Sequence, residues 1–377
     1  MIIYVVKSGD TLSGIASLYG VGTEELTAAN GMPDPNALAV GQTVVVPGNG
    51  DKLGTLAVNG YAYPFISPEA LDGSLPYLTS LTVFTYGFTR SGELISPDDE
   101  GLTGRIREGG VGPVMLISTL TEEGVFSNEL SSYLFGERGL WDTLVDNILS
   151  EMREKGYAGL DIDFEYVFAD EAGVYAEFVT YVRERLNAEG YYVIVALAPK
   201  TSADQPGLLY QGHDYRLLGE AADRVLLMTY EWGYTYGPPM AVAPINKVEE
   251  VVSYAVTEIP PEKIYMGVPN YGYDWTLPFV RGESRARSIS NNEAVSLASS
   301  YRAEIKFDET AKSPYFNYTD GEGGTHEVWF EDARSIQSKL ALANRYGLYG
   351  VGYWNLMRYF RQNWTVLSEE YNIRKNA

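Results

Sequence analysis

Cysteine is absent from this chain of 377 residues, and histidine occurs only twice, as His213 and His326. Without a thiol there is no disulfide framework, no thiolate nucleophile and no cysteine zinc site. Basic residues are scarce as well: 28 Lys and Arg stand against 50 Asp and Glu, a net charge of −22. A field of that sign repels phosphate backbones and anionic lipid, so no nucleic acid and no membrane is expected as a partner. Long apolar runs are also missing. Met1 to Val6 is apolar but breaks at Lys7, too short for a signal-peptide core, and no stretch approaches a membrane span. Export by the usual route is therefore not expected. Gly-x-Ser-x-Gly and Gly-x-Gly-x-x-Gly do not occur, and both histidines read as loop residues.

Stacking residues, by contrast, are plentiful: 30 Tyr, 13 Phe and 6 Trp. An acidic protein so furnished suits an uncharged polymer, held by ring faces and hydrogen bonds. The length accommodates one large domain and one small one.

The small one is expected over residues 1–48. Ile3-Tyr4-Val5-Val6 is strand-like, and a turn at Ser8-Gly9-Asp10-Thr11-Leu12 offers Ser8 or Asp10 as a helix cap. Leu12, Ile15, Ala16 and Tyr19 follow at helical spacing. A second helix over 23–30 is stopped by Gly31 and Pro33, and a strand over 43–46 closes the unit. Gly48-Asn49-Gly50-Asp51 opens a linker over 49–53. Tyr4-Val5-Val6-Lys7-Ser8-Gly9-Asp10-Thr11-Leu12, with Gly41-Gln42-Thr43-Val44-Val45-Val46-Pro47, resembles a LysM module. That resemblance implies a βααβ fold binding N-acetylglucosamine-containing glycans between two loops. Gly9, Asp10, Thr11 and Leu12 fall in the first loop, and Asn30 and Leu38 bound the second.

From residue 54 to 377, apolar runs alternate with amphipathic stretches. Eight runs are strand-like: 55–63, 81–86, 113–118, 159–164, 192–197, 225–230, 264–269 and 348–354. Most are near-continuous Val, Ile, Leu or Met, as parallel strands covered on both faces require. Between them lie helical stretches such as 141–155, with Trp141, Leu144, Val145, Ile148 and Met152 on one face. The fold class is thus α/β, a (β/α)8 TIM barrel. The last interval is too long for one helix, so residues 275–330 are expected to form a small α+β insertion, with strands at 304–307, 315–318 and 327–330 before a final helix over 331–345.

The chemistry concentrates in Gly159-Leu160-Asp161-Ile162-Asp163-Phe164-Glu165. Residues two apart on a strand share a face, so Asp161, Asp163 and Glu165 point into the barrel while Ile162 and Phe164 face its helices. At about 3.3 Å per residue, neighbouring members stand about 6.6 Å apart along the backbone, close enough for side chains to meet. Like charges so crowded cannot all ionise, and a raised carboxyl pKa at the C-terminal mouth suits a general acid. That proton is assigned to Glu165, with Asp161 deepest and holding Asp163 by a hydrogen bond. A hard-cation site and a solvent-facing strand are the alternatives for this array.

Asp161-x-Asp163-x-Glu165 on a fourth strand is similar to the signature of family 18 glycoside hydrolases, the chitinase family. Met228-Thr229-Tyr230-Glu231-Trp232-Gly233, Met266-Gly267-Val268-Pro269-Asn270-Tyr271-Gly272 and Gly350-Val351-Gly352-Tyr353-Trp354 resemble its sixth, seventh and eighth strands. The family signature usually opens Asp-Gly where Ala158-Gly159 stands here, and its sixth-strand motif usually ends in Asp where Glu231 stands. The resemblance implies a retaining, substrate-assisted hydrolase needing no cofactor and no metal. Glu165 would be the proton donor, with Asp163 and Tyr230 serving the substrate's acetamido group and Asp161 supporting Asp163. Glu231, Trp232, Asn270, Tyr271 and Trp354 would bind sugar, with Trp354 as the floor. The Tyr-Glu-Trp-Gly variant and the LysM-plus-barrel layout resemble spore cortex-lytic N-acetylglucosaminidases, a subgroup that typically lacks a secretory leader. The expected polymer is peptidoglycan of the spore cortex, and the expected place is the cortex, coat or wall. Chitin cleavage and a glycan-binding lectin without activity are the competing readings.

Overall fold

The computed structural model describes residues 1–32, 34–48, 50–99 and 101–375. Pro33 and Asn49, invoked above as a helix stop and a linker residue, lie outside these, as do residues 376–377.

At the N-terminus, strands Ile2–Val5 and Thr43–Val46 pair antiparallel and flank helices Leu12–Tyr19 and Thr23–Asn30. Leu12, Ile15, Leu26 and Val44 form their common core. The first helix is capped by Thr11, not by Ser8 or Asp10: its Oγ1 accepts from the Gly14 N–H at 3.1 Å. Asp10 instead accepts from the Lys7 N–H and the Tyr4 hydroxyl, both at 2.7 Å, and so closes the turn itself.

Eight parallel strands follow: β1 (Gly54–Ala62), β2 (Ser80–Phe88), β3 (Gly112–Ser118), β4 (Gly159–Asp163), β5 (Tyr192–Leu197), β6 (Arg224–Leu227), β7 (Ile264–Pro269) and β8 (Gly350–Trp354). Each pairs with the next and β8 pairs with β1, which closes the barrel. Alternate side chains part to two cores. Leu160, Ile162, Val193, Val195, Val225, Met266 and Val351 pack outward on the helices, while Tyr61, Leu116, Ile194, Ala196, Leu226 and Tyr265 fill the interior. Helix Arg138–Lys155 buries the expected face and ends at Gly156 in the left-handed conformation (φ 71°).

Three departures from the sequence expectation have local causes. Strand β6 ends at Leu227 rather than 230, because the chain then tightens: Thr229 and Tyr230 donate to the carbonyls two residues back, at 2.8 and 2.9 Å. The helix expected from 331 begins at Ala333, where Asp332 and Ser335 form a capping box. The insertion sheet starts at Gly272, not 275, and is antiparallel in the order Arg287–Ile289, Gly272–Leu277, Thr325–Trp329, Ser313–Thr319, Lys306–Asp308. Beyond β8 a further helix, Arg361–Glu370, carries the N-terminal unit.

That unit is docked rather than trailing. Gln362 accepts from Thr43 Oγ1 at 2.8 Å and donates to Thr43 O at 2.7 Å and Asn30 Oδ1 at 3.0 Å, all buried. Thr365 donates to Ala29 O at 2.6 Å. On the insertion side the Ile305 N–H donates to Val40 O at 2.9 Å, and Gly41, at φ 86°, lies so close that a Cβ there would meet Ile305 O at 1.9 Å. Near the end of the same helix, Gly48 N–H donates to Glu369 at 2.9 Å and Leu53 N–H, at the far end of the expected linker, donates to Glu370 O at 2.7 Å.

Candidate active site

The carboxylates of β4 point into the barrel. Asp161 is wholly buried, Asp163 lies above it, and Glu165 stands just past the last strand residue, at the C-terminal mouth. Burial raises the Asp161 pKa to about 7 against the opposing pull of a hydrogen bond from the Tyr61 hydroxyl at 2.6 Å. Asp163 is pushed well above the ordinary carboxylate range, by burial first and then by the charges of Glu165 and Asp161. Glu165 is raised by burial. The expected bond from Asp161 to Asp163 is corrected by the geometry: Asp161 spends Oδ2 on Tyr61, and among the described residues Oδ1 of each Asp has no partner.

These groups face a cavity of about 500 Å³ walled by Tyr61, Tyr63, Phe84, Tyr230 and Trp354. Trp354 closes its floor, with ring centroids 6.0 Å from Tyr61, 6.1 Å from Tyr63 and 5.0 Å from Phe84. Tyr230 reaches in because Gly267 on β7 leaves room; a Cβ there would stand 2.7 Å from the Tyr230 ring. Next to it Glu231 adopts φ 67° and turns its carboxylate to Tyr273 Oη at 3.0 Å and to the Tyr271 hydroxyl, both donating. Burial raises its pKa and those two bonds oppose the rise, while part of the residue stays open to solvent. Among the described residues, no group of three or more carboxylate or imidazole side chains converges as ligands to a metal ion would.

Residues 140–358, more than half of the chain, match the family model of the glycosyl hydrolases family 18, and residues 4–47 match the LysM domain. The chain belongs to glycosyl hydrolase family 18. It is 39% identical to the cortical fragment-lytic enzyme of Bacillus subtilis over 430 residues, covering all of both chains. The spore cortex-lytic enzyme SleL of Bacillus megaterium superposes with a TM-score of 0.94 at 34% identity, covering 100% of this chain and 99% of that one. SleL of Bacillus cereus does so at 0.82 and 37%, covering 99% and 87%. As a member of family 18 joined to a LysM module, the chain is a glycoside hydrolase that binds N-acetylglucosamine polymers. Among the described residues no helix is long and apolar enough to cross a membrane.

The family 18 barrel does not bring every expected residue to its cleft. Asn270 is turned away from it: the amide donates to Asn355 O at 3.2 Å and Arg358 O at 2.7 Å, tying β7 to the loop after β8. Trp232 packs against the outer core, its backbone paired with Val242 O at 3.0 Å. Tyr271 is buried and reaches the cavity only through Glu231. Its neighbours Tyr273 and Trp275 are buried between the insertion and the loop after β6, with Trp275 Nε1 donating to Gly237 O at 2.8 Å.

In the LysM unit, Gly9 and Thr11 are exposed and Asp10 buttresses their turn, but Leu12 is core and Leu38 packs on that core. Asn30 is buried and fully spent on Leu26 O, Val45 and Gln362, so it shapes the second loop from beneath and offers a glycan nothing. The two histidines are not free loop residues. His326 bridges Asp274 Oδ1 at 2.9 Å and Asp320 Oδ2 at 3.2 Å inside the insertion, and His213 is wholly buried behind β4. Tyr61 was missed as well, although its place on the inner face of β1 follows from alternation alone.

Proposed function

We propose that this enzyme cleaves the β-1,4 bond that follows N-acetylglucosamine in spore cortex peptidoglycan, with retention, using the substrate's own acetamido group as nucleophile. The observation that carries the chemistry is the pairing of Asp163 and Glu165 in one buried, ring-walled cavity, where burial raises the pKa of both and so favours the protonated form that a general acid needs. Glu165 delivers its proton to the leaving oxygen as the glycosidic bond breaks. The acetamido oxygen closes on the anomeric carbon, giving an oxazolinium ion, the route by which family 18 dispenses with a second enzymic carboxylate. Asp163 takes a hydrogen bond from the acetamido N–H and offsets the positive charge, while Tyr230 donates to the acetamido oxygen and holds it in line. Water then opens the ring, losing its proton to Glu165. Glu231, braced by two tyrosines, lies where it meets a sugar hydroxyl at the cavity edge, over the Trp354 floor.

The full-length likeness to the cortical fragment-lytic enzyme supports cortex as the substrate, and the docked LysM unit supplies a second hold on the same polymer. Action at the spore cortex, coat or wall follows from that substrate. Mass spectrometry of purified cortex digests tests the reading: new reducing ends should be N-acetylglucosamine. Release from chitooligosaccharides but not from cortex would make the enzyme a chitinase, and binding of either glycan with no cleavage would make it a lectin.

A further inference from the structure

The strand end that presents Glu165 lies beyond the reach of the sheet. The last ladder pair of β4 with β5 is Ile162 with Val195, and the last with β3 is Asp163 with Ser118. Phe164, Glu165 and Tyr166 therefore have no strand partner, and Tyr166 turns through φ 58°. A side chain takes over where the ladder stops. His213 Nε2 lies 3.0 Å from the Phe164 carbonyl oxygen, and Nδ1 of the same ring lies 2.9 Å from the backbone nitrogen of Ala198, the residue after β5. A backbone N–H can only donate, so Nδ1 is the acceptor, and the ring proton sits on Nε2, pointing at Phe164. The imidazole is thus a spacer inserted between a carbonyl of one strand and an N–H of the next. It carries the pairing upward while holding the two strand ends apart at the mouth.

The spacer is itself firmly set. His213 donates its backbone N–H to Tyr210 O at 3.1 Å and accepts from the Lys200 ammonium at 3.0 Å on its own carbonyl. Tyr175, from the helix after β4, packs 6.0 Å from the ring and stacks at 5.9 Å on Phe164. Gly212 permits the approach, since a Cβ there would meet Val167 O at 2.2 Å. Burial, with the Lys200 charge adding to it, lowers the His213 pKa to about 4, so the ring is neutral at near-neutral pH. None of these bonds touches the cavity, which marks His213 as a support and not a reactant.

We infer that His213 is a positioning residue for Glu165: by fixing the peptide immediately before the acid, it sets the direction from which the carboxyl enters the cleft. This rests on the reading of Glu165 as proton donor. Asn and Gln separate the two bonds, because Asn reaches as far as Nδ1 and keeps the acceptor for Ala198, whereas Gln reaches as far as Nε2 and keeps the donor for Phe164.

The test compares H213N, H213Q and E165Q in the full chain on soluble cortex fragments, each well below its own melting temperature. H213N should lose about 100-fold in kcat with KM within about twofold, and the alkaline limb of its pH profile should move, because the acid is misaligned and its surroundings altered. H213Q should stay within about fivefold of the native enzyme, since the bond to Phe164 survives. Equal losses in H213N and H213Q that follow the folded fraction, with an unmoved alkaline limb, would reduce His213 to a structural residue and overturn the inference. Native turnover in both would do the same. If E165Q retains full activity, the proton-donor reading falls first, an outcome distinct from an inactive E165Q beside an unaffected H213N.

Discussion

The Tyr61 hydroxyl donates to Asp161 Oδ2 at 2.6 Å, and both side chains are shut off from solvent inside the barrel. Among the described residues it is the hydrogen bond that opposes the burial of that carboxyl. Tyr61→Phe leaves the oxygen with nothing to replace water, at a cost of about 1.5–3 kcal/mol, the range for bonds to charged groups. Denaturant unfolding should read that loss, and the Asp161 pKa should climb further.

Asp161 also ties stability to pH. Its folded value of about 7 lies above the ordinary Asp value, so the native state holds a proton that the unfolded chain releases. The contribution is complete below about pH 4 and disappears as pH rises toward 7, amounting to at most about 4 kcal/mol at 1.36 kcal/mol per unit. Asp161→Asn cannot titrate, so its melting temperature should fall less between pH 4 and 7 than that of the native enzyme.

Glu165 has to carry a proton to act as acid, and burial moves its pKa upward. Activity should therefore persist to higher pH than an ordinary glutamate allows and decline as pH passes the raised value. Glu165→Gln should cost about 10²–10⁴-fold in kcat while glycan affinity stays within a few-fold. Asp163→Asn should fall by about 10²–10³-fold, since an amide cannot offset a developing positive charge. Steady-state kinetics beside equilibrium glycan binding separates turnover from affinity in both variants.

Much of this site was legible in the sequence because a strand has a period of two. Asp161, Asp163 and Glu165 declared a common face, and apolar Ile162 and Phe164 declared which side was packed. Reach in space was not legible. Asn270 sits at a strand end, where a sugar contact was expected, yet its amide is consumed by carbonyls more than 80 residues away in sequence. Asn30 and Gln362 meet across 332 positions, and His213 meets Phe164 across 49, with no local pattern to announce either contact. The strand at Gly272–Leu277 was not legible either, because Trp275 on it is buried by a contact to Gly237 O made across 38 positions.

Gly41→Ala probes the docking of the N-terminal unit. Its φ of 86° and the nearness of Ile305 O leave no room for a methyl group, so the variant should strain or open that contact at about 1–3 kcal/mol. Turnover of soluble chitooligosaccharides should be unchanged, because the cavity lies elsewhere. Turnover of insoluble cortex should drop, and limited proteolysis should begin cutting near residues 50–53.

A glycan-gripping unit bolted to the barrel by Gln362, Thr365 and Gly41 behaves unlike one on a leash. A leashed anchor lets its blade sweep a sphere of neighbouring strands. A bolted one delivers the blade to a single spot, a fixed offset from wherever the anchor lands. The spacing between successive cuts would then be ruled by where the anchor can alight, and trimming or lengthening residues 50–53 would not widen the territory served.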